Sequence, residues 1–192
     1  MRRVLAALGV VALLAACAPA QQVELQADYP SYSSLAELCD AATLVVTGTP
    51  VGTEVREVNL RTDAQGDTPE ENPQLGVEGG GARPEDLDVL TVTSFEVDDV
   101  VAGRAIEAGE VIEVGQMGGE LDGVSYEATR FPLDEDGTYL LFLHEFDGVP
   151  AALLNPTQAG YVVTTSGTLE ASSDGPLADE MDGRSVSNDL CG

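Results

Sequence analysis

The 192-residue chain carries 34 Asp and Glu against eight basic residues, all of them Arg, for a formal charge of −26 and a pI near 4.1. So acidic a surface excludes nucleic acid as a partner, and excludes a bilayer bound through a basic patch. With 43% apolar and 22% charged residues it is a folding chain rather than an acidic tail, long enough for one domain with a core. Its single imidazole, His144, excludes machinery built on histidine pairs.

Residues 1–16 read Met-Arg-Arg and then 13 apolar or small residues, Val4 to Ala16, the pattern of an export signal. As a helix those 13 residues reach only ~20 Å, short of a ~30 Å hydrocarbon core, so they do not form a permanent span. The segment ends Leu14-Ala15-Ala16-Cys17, which resembles the lipobox of bacterial lipoproteins. That resemblance implies cleavage before Cys17, thioether attachment of a diacylglyceryl group to its sulfur, and acylation (palmitate) of the new amino terminus. An ordinary signal peptide with a nearby Ala-x-Ala-type site and an incidental Cys17 is the alternative. Cleavage removes Arg2 and Arg3 and no acid, leaving six Arg against 34 acids, a charge of −28.

Residues 17–30 are polar, carry two prolines and show no sustained period, so they read as a tether that holds a domain, 31–192, just clear of a surface. Ser34-Leu-Ala-Glu37 has capping-box spacing ahead of Leu35, Ala36, Leu38 and Cys39, and predicts a helix over 34–41. From Ala42 the pattern changes to strands. Thr43–Thr47 ends at Gly48, and Pro50 limits or bulges the next stretch, through Val55. Residues 61–87 hold five Gly, three Pro and seven acids with only Leu75, Val77 and Leu87 as sizeable aliphatics, the composition of a long disordered insertion within one domain.

Beyond it, Val89–Val97 alternates with Val89, Phe95 and Val97 on one face, and Val111–Val114 and Val124–Ala128 are shorter strands. The continuous apolar run Tyr139–Leu143 predicts a central strand, which Asp147-Gly148 turns into Val149–Leu154 as a hairpin. Tyr161–Thr165 and Thr168-Leu169 form a second hairpin about Ser166-Gly167, and Pro176–Met181 a last short helix stopped by Gly183. The fold class is mostly β: a single small antiparallel barrel or a sandwich, with one or two short helices.

Catalytic signals are weak. His144 and Glu145 are strand neighbours that point to opposite faces, and no Gly-x-Ser-x-Gly elbow occurs. Gly115-Gln-Met-Gly-Gly119 and Gly79-Gly-Gly81 lack the Lys and strand-to-helix setting of a phosphate cradle and read as turns. Zinc spacings are absent. An EF-hand frame placed on Gly137 puts Pro132 at the first ligand position and Leu143 at the last, so only an irregular calcium site stays open. No catalytic residue, metal ligand or cofactor is expected. With Cys17 acylated, Cys39 and Cys191 are an even pair in an oxidising setting, which favours one bridge between helix and carboxy terminus over two buried thiols.

The march Ala42–Gly48, Phe95–Gly103, Gln116–Gly119 and Gly137–Leu143 resembles a group of uncharacterised bacterial lipoproteins. More distantly it is similar to the netrin-like module of tissue inhibitors of metalloproteinases, which implies an OB-type barrel. In those inhibitors an amino-terminal cysteine chelates the enzyme's zinc. Here no Cys-x-Cys follows Cys17, so no functional residue carries over. The expectation is a noncatalytic, lipid-anchored, extracytoplasmic envelope protein that binds a protein or small-molecule partner, with an acidic structural spacer as the alternative and a calcium-binding module or an enzyme behind both.

Overall fold

The computed structural model describes residues 21–60, 87–172, 177–187 and 189–192. Cys17 and the expected insertion at 61–87, Leu87 excepted, lie outside the described residues. In chain order the elements are β1 (Gln21–Glu24), α1 (Leu35–Ala41), β2 (Leu44–Val58), β3 (Asp88–Gly103), β4 (Val111–Met117), β5 (Gly119–Leu121), β6 (Val124–Glu127), β7 (Tyr139–His144), β8 (Ala151–Leu153), β9 (Gly160–Val163), β10 (Leu169–Ala171) and α2 (Ala178–Met181).

Five strands close a ring. β2 pairs antiparallel with β3 and β7, β3 antiparallel with β4, β4 parallel with β8, and β8 antiparallel with β7. Numbered along the ring this is the order first, second, third, fifth, fourth, with third and fifth parallel. The two edges of β2 pair with β3 and β7 over the same residues, Leu44–Gly48, and the 15-residue strand then runs on along β3 alone to Val58. Its register against β3 shifts at Val45/Val46, Thr47/Gly48 and Pro50/Gly52, so the expected bulge at Pro50 is present and the strand runs on past Gly48 instead of ending there. β9 and β10 extend the sheet beyond β7 as the expected second hairpin.

The run Tyr139–Leu143 is buried on both faces, as its unbroken apolarity requires. Phe95, Val114, Leu44 and Leu38 share one core with it, and Phe142 meets Tyr161 edge-on at 6.1 Å between ring centres. The Tyr161 hydroxyl donates to the Gln158 carbonyl at 2.7 Å. Burial, with Glu180 and Asp182 adding to it, pushes this phenol well above the ordinary tyrosine value of 10.0. A raised folded pKa contributes stability that is complete below the unfolded value and lost as pH rises past it. The wild-type melting midpoint should therefore fall faster above that value than the midpoint of Tyr161→Phe, a comparison that thermal melts across an alkaline series provide.

α1 begins where the capping box placed it. Ser34 Oγ accepts from the Glu37 amide at 3.3 Å, while Glu37 reaches one residue further back than the box requires, accepting from the Ser33 amide and hydroxyl at 2.8 Å each. Those two bonds hold the Glu37 carboxyl below its ordinary value. Leu35 and Leu38 turn inward, and Cys39 is bonded to Cys191, with 5.5 Å between their Cα atoms.

Two departures from the sequence reading matter for function. The tether contributes β1, which pairs parallel with β6, and Tyr32 further on is buried in the core. Gln158 makes this possible. Its buried amide bonds both the Tyr32 N–H (3.0 Å) and the Tyr32 carbonyl (2.9 Å), as a strand neighbour would. Second, the glycine-rich stretch at 115–119 is not a simple turn: Gly115–Met117 complete β4 and Gly119 opens β5. Gly118 between them has φ 86° and sits where a Cβ would press on the Tyr126 carbonyl, a position that only glycine fills without strain.

Candidate functional site

Alternation along β3 and β4 divides the barrel wall into two faces. Val89, Thr91, Thr93 and Phe95 look inward with their cross-strand partners Val114 and Gln116, so Leu90, Gly115 and Met117 look out. On that outer side a groove of about 250 Å³ runs along the β3–β4–β8 seam. Its floor is Leu90 and Gly115, where a Cβ would lie 3.2 Å from both Leu90 and Pro150. Met117, Ala152, Leu60 and Phe146 form its walls, and Tyr29 closes one side with a phenol that burial pushes up.

The aromatic wall stands where β7 hands over to β8. Asp147-Gly148 makes the turn, with Gly148 at φ 77°, and Phe146 projects from it with its ring centre 4.7 Å from the His144 imidazole. His144 is therefore a strand-end residue whose ring meets that of Phe146 at an inclined angle of 51°, and Glu145 turns away to Arg104 at 2.8 Å. The two do not form a catalytic pair. Among the described residues four large hydrophobes are exposed, and Leu60 and Phe146 of this groove are two of them. Leu60 and Phe146 thus bring exposed apolar surface to the same groove.

Comparison with protein-family models, with characterised proteins and with solved structures finds no match.

Of the residues singled out in the sequence, Cys39 and Cys191 are joined, tying α1 to the carboxy terminus, and neither lines the groove. Cys17 lies outside the described residues. Among the described residues no three His, Cys, Asp or Glu side chains gather as a metal set, and no helix is long and apolar enough to cross a membrane. The groove itself was missed, since its residues come from six segments and one of them, Tyr29, lies in the supposed tether. One signal was present: Phe146, an aromatic set inside the acidic turn Glu145-Phe-Asp147 in a chain with only four Phe.

Proposed function

We propose that this chain is a noncatalytic, lipid-anchored protein of the extracytoplasmic bacterial envelope, and that its barrel holds a partner protein by inserting an apolar side chain of that partner into the outer groove. The groove, apolar and flanked by exposed Phe146 and Leu60, is the observation that carries this reading. Its volume of about 250 Å³ falls below the ~300 Å³ at which pockets for whole small molecules begin, and suits an anchor side chain. The position supports it too, because OB-type barrels bind ligands on the face of their second and third strands, here β3 and β4. The acidic coat excludes the nucleic acids that many such barrels take.

The anchor follows from Leu14-Ala15-Ala16-Cys17. β1 starts at Gln21, only four residues past Cys17, which at ~3.5 Å each keeps the first strand within ~14 Å of the lipid. The barrel of such a lipoprotein lies against the membrane surface instead of standing off on a flexible leash. Cys17→Ser should abolish incorporation of labelled palmitate and leave an unprocessed or released chain; undiminished labelling of that variant would remove the anchor. Ala152→Phe should fill the groove and end partner binding with little change in melting, whereas an acidic spacer would work equally well with the groove filled.

A further inference from the structure

The inner face of the same strands carries a second cavity. It holds about 440 Å³ at the end of the barrel where the core gives way to Thr53, Thr91 and Thr93, three hydroxyl side chains that are cross-strand neighbours or follow one another on one face. Over it passes the segment 130–133, fixed there by Gln116. The buried Gln116 amide accepts from the Phe131 N–H at 2.7 Å and donates to the Phe131 carbonyl at 3.0 Å, so this irregular stretch is held as firmly as a strand.

That clamp places Arg130 at the cavity rim. Its guanidinium donates one bond, 2.7 Å, to the Thr91 hydroxyl, which in turn donates to the Gly118 carbonyl at 2.7 Å. Arg56, Arg104 and Arg184 each have a carboxylate within 4.0 Å, and among the described residues Arg130 has none. Among the described residues this guanidinium thus faces a hydroxyl-lined cavity with no carboxylate within ion-pair distance. It has four further N–H donors in a planar fork suited to a carboxylate.

We infer that this cavity binds a small hydroxylated monocarboxylate, with Arg130 on the carboxylate, Thr53 and Thr93 on the ligand hydroxyls, and Pro132 and Leu133 against its apolar face. A single negative charge is specified because one guanidinium balances one carboxylate, while Glu120 on the same rim and the overall −26 oppose a dianion such as phosphate. The site lies on the opposite face of β3 and β4 from the outer groove, and the two share only Gln116.

Titration calorimetry of the full chain in neutral detergent with sodium D-glucuronate tests this directly. Saturable binding is expected, with glucose, which lacks the carboxylate, and acetate, which lacks the hydroxyls, each weaker by about tenfold or more. Arg130→Gln should weaken glucuronate by about tenfold or more, Arg130→Lys should recover only part of it, and Ala152→Phe should leave it unchanged. Absence of saturable glucuronate binding by the folded wild type, equal affinity for acetate, or an Arg130→Gln variant of wild-type affinity and melting midpoint would overturn the inference.

Discussion

Breaking the Cys39–Cys191 bridge should lower the melting midpoint by about 10–20 °C. The bond closes a loop across a sequence separation of 152 residues, nearly the whole folded domain, and in the chain-entropy view a closure that long removes ~5 kcal/mol of freedom from the unfolded chain. For a protein of this size each kcal/mol moves the midpoint by about 2–4 °C. The native state has little to lose in exchange, since Leu35 and Leu38 seat α1 in the core with or without the bond. Thermal melts of Cys39→Ser/Cys191→Ser against the oxidised wild type measure the difference. An unchanged midpoint would mean that the unfolded chain is held compact by other means.

Gly48→Ala is expected to be nearly as damaging, at about 3 kcal/mol, although it adds one methyl group. Gly48 lies inside the sheet, opposite Val97 of β3 on one side and Tyr139 of β7 on the other. A Cβ there would collide with the Glu96 carbonyl oxygen and come within 2.6 Å of the Phe95 ring, so backbone or a fully buried ring has to move. Gly52, four residues along the same strand, has open space where its Cβ would be. Gly52→Ala should leave the midpoint level or raise it slightly by restricting the unfolded chain. Denaturant melts of both variants check the register: similar effects from the two would contradict the pairing of β2 at its second bulge.

Much of this barrel was legible because its strands obey local rules. Tyr139–Leu143 is apolar throughout and is central, and Asp147-Gly148 turns β7 into β8 with a glycine at positive φ. The helix cap at Ser34 followed from spacing, and the bridge between Cys39 and Cys191 matches the pairing favoured by parity. The features that escaped were decided by distant partners. Gly48 read as a strand end, yet it is the point where three strands crowd together. β1 looked like a tether because its four residues have no apolar period, and it is ordered by pairing with β6 about a hundred residues away. One local signal was overlooked: Leu121-Asp-Gly-Val124 is a two-residue hairpin with Asp122 at φ 51° and Gly123 at φ 79°. The groove and the cavity were the least legible of all, since each is made where opposite faces of β3 and β4 meet loops, and sequence alternation gives the two faces without showing what covers them.

The proposal that the outer groove is a protein-binding site is tested most directly by a photo-crosslinking side chain placed at Phe146 in the full chain and activated in the cells that produce it. One discrete adduct is expected, lost when Ala152→Phe fills the groove and absent when the same crosslinker replaces Val51, which is equally exposed but outside the groove. No adduct from position 146 beyond that seen from position 51, or an adduct indifferent to Ala152→Phe, would contradict it.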